Sequence, residues 1–206
     1  MKTLVMILHG GESGGNRSDD GIPIRSIIKS TFSTDKGNPI WTENLDKFLG
    51  SDKFEVICPL FPNANDMVYT ERERFLNQVL SDLGFRDYQD LILVSHSLGT
   101  VFLQKYLCVN NVNQKFGKNV KQVHFVACSV DYGDFKLSQN WNNIINQVDP
   151  SQIYLYYSND DKKCEPEETL FYKQNLSESN IQAFEDKGHF TSFEFHELVE
   201  NINKIK

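Results

Sequence analysis

Leu91-Ile92-Leu93-Val94-Ser95-His96-Ser97-Leu98-Gly99-Thr100 is the stretch that decides how the rest of the chain is read. Four apolar residues predict a buried strand. They run without a linker into Ser-His-Ser-Leu-Gly, and then into a helical pattern over Leu98 to Val109. A strand that turns sharply into a helix needs small residues two before and two after its apex, because strand and helix backbones nearly touch there. Ser95 and Gly99 fill those places. Ser97 then sits at the apex, at a helix N-terminus, where backbone dipoles and N–H groups favour developing negative charge. This is the context of a nucleophile elbow. Its rival is a serine that only caps a helix.

Outward from this point, strands and helices alternate. Thr3–Leu8, Phe54–Cys58, Leu91–Val94, Val120–Ala127, Ile153–Tyr157 and Ile181–Phe184 read as strands. Between and after them, helices are predicted over Trp41–Leu49, Asp66–Leu83, Leu98–Val109, Trp141–Val148, Pro166–Asn175 and Phe193–Ile205. Ser129–Pro150 reads otherwise as an irregular connection. Alternation of this kind implies an α/β fold: a compact, three-layer, doubly wound domain whose mostly parallel sheet has about six strands. With no repeat and no long linker, residues 1–206 are expected to form a single domain. Ligands of such sheets sit beyond the carboxyl ends of the strands.

Composition narrows the function. Lys plus Arg number 21 and Asp plus Glu 28, a formal charge of −7 that argues against nucleic-acid or anionic-membrane partners. Apolar residues at 39% and charged residues at 24% describe a globular chain. Cys58, Cys108, Cys128 and Cys164 form no C-x-x-C pair, so no zinc or redox motif is expected. Free cysteines in apolar runs suit a reducing compartment, and a cytoplasmic location is expected. The apolar start Met1–Leu8 is short and ends in His9-Gly10-Gly11, which reads as a first strand and not as a leader.

A serine nucleophile needs a base, and the base an orienting acid, in the chain order Ser, Asp or Glu, His on this architecture. Ser158-Asn159-Asp160-Asp161 follows the fifth strand and Asp186-Lys187-Gly188-His189-Phe190 the sixth. His189, in a Gly-flanked loop at the right end of a late strand, is the expected base. His96 should point away from Ser97 by strand alternation. His124 should be a core residue, His196 a surface one, and His9 a shaper of the loop after the first strand. The acid is Asp160 or Asp161. The oxyanion donors are expected to be the N–H groups of Leu98 and Gly11. Gly10 to Gly15 match neither G-x-G-x-x-G nor a P-loop, so no nucleotide cradle is read there, and the serine chemistry itself requires no metal or organic cofactor.

These segments resemble the α/β-hydrolases, and more narrowly the small serine hydrolases related to retinoblastoma-binding protein 9 and bacterial YdeN. The markers are Leu8-His9-Gly10-Gly11, Ser95-His96-Ser97-Leu98-Gly99, Ser158-Asn159-Asp160-Asp161, Gly188-His189-Phe190 and Phe195-His196-Glu197-Leu198. In that group the second Asp of the pair is the acid, which selects Asp161. Two departures stand out. Ser95 replaces the usual Gly, and Asp161-Lys162-Lys163-Cys164-Glu165-Pro166 is one residue longer than the usual Asp-Pro-x-x-Pro.

The resemblance implies hydrolysis of small carboxylic esters through an acyl-enzyme on Ser97, with a small acyl compound as partner. The same three side chains would also serve a thioesterase, amidase or acyltransferase. A protein-binding module on this scaffold is the non-enzymatic alternative. Tyr132, Phe135 and Trp141 are candidates to roof a shallow site.

Overall fold

A computed structural model describes residues 2–9, 45, 47–50, 52–59, 61, 68–82, 88–117, 119–128, 131–132, 135–137, 140–164, 169–191 and 195–205. Its strands are β1 (Lys2–Leu8), β2 (Phe54–Ile57), β3 (Tyr88–His96), β4 (Asn119–Val126), β5 (Asp131–Tyr132), β6 (Phe135–Lys136), β7 (Ile153–Ser158) and β8 (Ile181–Phe184). The helices are α1 (Tyr69–Asp82), α2 (Leu98–Val109), α3 (Val112–Phe116), α4 (Trp141–Ile145), α5 (Leu170–Asn175) and α6 (His196–Ile202).

Six strands form one sheet in the order β2-β1-β3-β4-β7-β8, and every neighbouring pair is parallel. The short strands β5 and β6 pair antiparallel outside it. The apolar runs explain the layering. Side chains alternate across a strand, so β1 feeds both faces. Leu4, Met6 and Leu8 join Leu91 and Leu93 of β3 and Val101, Phe102 and Leu103 of α2. Val5 and Ile7 join Ile92 and Val94 of β3 and Leu198 and Ile202 of α6. Both faces are therefore covered, as an all-parallel sheet requires.

The structure differs from the sequence expectation mainly at element ends. β3 starts earlier than Leu91, because Tyr88 pairs with Lys2 and Asp90 with Asn119. It continues to His96, because Ser95 and His96 still pair with Phe125 and Val126. The last helix is shorter than Phe193–Ile205: Phe195 is its N-cap, outside the helical region at φ −138°, ψ 72°, and the chain passes into a turn after Ile202. Helix α3 is an addition. Its signals were Asn111, whose side chain accepts from the N–H of Gln114, and Gly117, which ends it at φ 62°. Of the helix expected over Trp41–Leu49, residues 45 and 47–49 are helical and the others lie outside the described residues. The same holds for positions 66, 67 and 83 around α1 and 165–168 before α5.

Gly99 joins the layers. A Cβ there would lie 2.8 Å from the carbonyl oxygen of His9, and closer still to that of Leu8. The first turn of α2 thus rests directly on the backbone at the end of β1, an approach only glycine permits. Gly99→Ala is expected to force the two apart at a cost of about 1–3 kcal/mol or more. The measurable result is a melting temperature lower by about 2–12 °C in a chain of this size. An unchanged melting temperature would contradict the contact.

Candidate active site

The turn between β3 and α2 holds Ser97 at φ 55°, ψ −129°. Such a conformation costs a non-glycine residue on the order of 1–3 kcal/mol and persists only where its surroundings enforce it. Here they do. The Ser97 N–H donates to the Val126 carbonyl at 3.0 Å, and the Ser97 carbonyl accepts from the Thr100 N–H at 2.8 Å and the Thr100 Oγ1 hydroxyl at 2.6 Å. Ser95, where glycine is usual in the resembled group, is fully buried, and its hydroxyl donates to the His124 carbonyl at 3.2 Å. The extra hydroxyl is therefore satisfied within the sheet.

Three strand ends converge on this turn. Ser97 Oγ, after β3, lies 2.9 Å from Nε2 of His189, in the loop after β8. The other ring nitrogen of His189, Nδ1, lies 2.9 Å from Oδ2 and 3.1 Å from Oδ1 of Asp161, in the loop after β7. An ionised carboxylate only accepts, so the proton sits on Nδ1 and the Nε2 lone pair faces the serine hydroxyl. Asp161 is held in turn by the N–H groups of Lys163 at 2.8 Å and Cys164 at 3.3 Å. Its side chain is 1% exposed and that of His189 is 12% exposed.

Asp160 does a different job. It is exposed, and one of its oxygens accepts from the Ser158 hydroxyl and from the Gly188 N–H at 2.8 Å. Those hydrogen bonds, the Ser158 hydroxyl first, hold its carboxyl below its ordinary pKa. Asp160 thereby ties the β7 loop to the β8 loop, while its neighbour faces the imidazole.

His96 is where the structure departs from the sequence reading. Strand alternation alone placed it away from the site. Instead its Nε2 lies 2.8 Å from the His189 carbonyl, and its ring meets that of His189 edge-on at 4.9 Å. A carbonyl can only accept, so His96 donates, fixing the backbone beneath His189. His124 is a core residue, with Nδ1 at 3.0 Å from the Tyr156 hydroxyl and Nε2 at 3.2 Å from Gln122 Oε1. His196 is exposed, and His9 is buried against Phe61, whose N–H reaches His9 Nε2 at 3.5 Å.

Leu98 opens α2, where N–H groups have no acceptor within the helix. Gly11 lies outside the described residues. Trp141 is no roof: it is 7% exposed and packs edge-on against Phe171 and Tyr172 in the core. The side chains of Tyr132 and Phe135 lie outside the described residues.

A six-stranded parallel sheet with a strained serine between β3 and α2 is a known arrangement. The chain has the α/β-hydrolase fold. No family model matches it, and no curated protein does. Solved structures do. A YdeN-like hydrolase from Pectobacterium atrosepticum is 11% identical with a TM-score of 0.52, over 99% of this chain and 90% of the other. An esterase from Exiguobacterium antarcticum is 13% identical with a TM-score of 0.57, over 98% and 91%. A monoacylglycerol lipase from Paleococcus ferrophilus is 12% identical with a TM-score of 0.55, over 97% and 91%.

Burial pushes the pKa of both His96 and His124 down to about 3, against an ordinary 6.5. For His96 the His189 ring adds to the effect. Both rings are neutral in the folded chain at pH 7. As pH falls below about 6.5 the unfolded chain takes up protons that the folded chain refuses, so stability declines with pH through the window from 6.5 towards 3. Unfolding free energy should therefore drop on acidification. In His96→Asn its slope against pH should be shallower by about one proton, measured by denaturant unfolding between pH 7 and pH 4. An unchanged slope would contradict a buried neutral ring.

Proposed function

We propose that this protein is a serine hydrolase that cleaves small carboxylic esters through an acyl-enzyme intermediate. The observation that carries the reading is the continuous hydrogen-bonded chain from Ser97 Oγ through the His189 ring to the Asp161 carboxylate. Similar solved structures with esterase and lipase names support the same chemistry.

In this reading His189 Nε2 takes the Ser97 proton as Oγ attacks the acyl carbonyl. The N–H of Leu98, with that of Gly11 as second donor, stabilises the oxyanion. His189, now protonated, returns its proton to the leaving alkoxide. It then draws a proton from water, which attacks the acyl-enzyme and releases the acid. Asp161 holds the Nδ1–H tautomer and stabilises the imidazolium that forms twice per cycle. The chain acts as one domain. Cys58, Cys108, Cys128 and Cys164 are free thiols, which suits a reducing, cytoplasmic setting. No helix among the described residues is long and apolar enough to cross a membrane.

A fluorophosphonate probe should label the wild-type chain and leave folded Ser97→Ala unlabelled. Turnover of short-chain esters should fall on the order of 10³-fold or more in Ser97→Ala and comparably in Asp161→Asn. Labelling that survives in Ser97→Ala would overturn the assignment of the nucleophile. Thioesters or amides turned over far faster than matched esters would redirect the substrate class.

A further inference from the structure

The loop that carries Asp161 also carries Cys164, and the reaction above makes no use of it. The Cys164 Sγ–H donates to the Ala127 carbonyl at 3.1 Å. Ala127 itself has a positive φ of 48° and immediately follows β4, whose last residue, Val126, accepts from the Ser97 N–H. The thiol is thus fixed beside the relay. One ligand atom from each of Asp161, Cys164 and His189 lies within 4.8 Å of the others, the one such group among the described residues. Cys164 and His189 are partly exposed, so an ion from solvent can reach them.

We propose that Asp161, Cys164 and His189 form an inhibitory site for zinc. A thiolate, an imidazole and a carboxylate are the mixed sulfur, nitrogen and oxygen donors this ion favours, whereas magnesium and calcium favour oxygen alone. Bond lengths of about 2.0–2.3 Å place tetrahedral ligands roughly 3.5 Å apart, so no pair closes in by more than about 1.3 Å, and Asp161 and His189 open slightly from 2.9 Å. Three protein ligands leave the fourth position to water. Zinc takes the place of the thiol proton, which goes to solvent.

Inhibition follows from the ring nitrogen used. Asp161 lies on the Nδ1 side of the His189 ring, so Nδ1 is the ligand. The ring proton then moves to Nε2, which donates to Ser97 and accepts nothing from it. The general base is lost. This consequence rests on the reading of His189 as the base of a serine hydrolase, whereas ion binding itself does not.

The other cysteines serve as controls. Cys58 and Cys128 are buried. Burial pushes the Cys108 thiol up to about 12, which disfavours the thiolate a metal needs.

The experiment has two arms on the full chain. In the first, cobalt(II) is titrated as a spectroscopic stand-in for zinc. A thiolate-to-cobalt charge-transfer band should appear in the wild type and in Cys108→Ser, vanish in Cys164→Ser and Cys164→Ala, and be displaced by zinc. Serine can keep the hydrogen bond to Ala127, and alanine checks the result should serine fold poorly. In the second, ester hydrolysis is titrated with zinc and restored with a chelator. Loss of a direct ligand should raise the inhibitory zinc concentration about tenfold or more in Cys164→Ser, each chain being compared with its own zinc-free rate. A band that persists without Cys164, no band in the wild type, or equal zinc inhibition of wild type and Cys164→Ser overturns the site. A band that depends on Cys164 in a chain without esterase activity upholds the site and refutes the hydrolase reading instead.

Discussion

Backbone-to-backbone contact between the end of β1 and the first turn of α2 is the constraint on which the arrangement depends. Gly99 makes the approach possible, and the approach in turn brings the helix start level with the carboxyl ends of the central strands. The chain reaches that position from β3 in a single residue, Ser97, at φ 55°. Local strain of this kind needs compensation from packing. It comes from the flanks: β3 is buried among apolar side chains on both faces, and Val101, Phe102 and Leu103 of α2 are buried to 1% exposure or less. Each such side chain contributes about 1.5–3 kcal/mol when fully buried. The apex is strained because both elements leading into it are over-determined.

The same economy governs the loops that meet Ser97. Ser97, Ala127 and Phe190 are the non-glycine residues with positive φ among the described residues. Ser97 and Ala127 follow the central strands β3 and β4, and Phe190 lies in the loop after β8, beside His189. Ser97 N–H donates to Val126 of β4 and Ala127 N–H to Tyr156 of β7, while Phe190 N–H closes a turn within its own loop onto Lys187. Asp160 adds a bridge from the β7 loop to Gly188, and His96 a bridge from β3 to His189. A relay drawn from strand ends so distant in sequence is held by these cross-ties, more than by the stiffness of any one loop.

Much of this was legible beforehand, for identifiable reasons. Parallel strands buried on both faces are written as nearly unbroken apolar runs, as in β1 and β7, and β4 and the edge strand β8 could also be found to within a residue or so. The elbow was legible because its sterics admit few residues, and Gly99 is the one that matters. Asp161 could not be separated from Asp160 by local pattern, since both suit a turn. What distinguishes them is the group each carboxylate meets in the loop after β8, the His189 ring for Asp161 and the Gly188 N–H for Asp160, a tertiary fact. His96 was misplaced for a related reason. Alternation describes a strand, but the chain leaves the strand at Ser97 with positive φ, and the loop after β8 folds back to meet both residues. Trp141 was taken for a roof because exposure of an aromatic residue in an irregular segment has no sequence signature, and it is spent on the core beside Tyr172.

His96 also bears on the charge of the site. In the proposed reaction His189 becomes an imidazolium, with another imidazole 4.9 Å away, centre to centre. Were both rings cationic, their repulsion would oppose proton transfer from Ser97. Burial keeps His96 neutral throughout, and the His189 charge strengthens that preference. The neutral ring still donates to the His189 carbonyl, so it supplies position without charge. Asp161 supplies charge as well as position: its carboxylate is withdrawn from solvent, already bound by two backbone N–H groups, and directed at Nδ1. A dipole array fixed before the proton moves does not have to reorganise when it does. One partner of His189 is therefore a ring kept neutral by burial, and the other a carboxylate whose direction is fixed by two backbone donors.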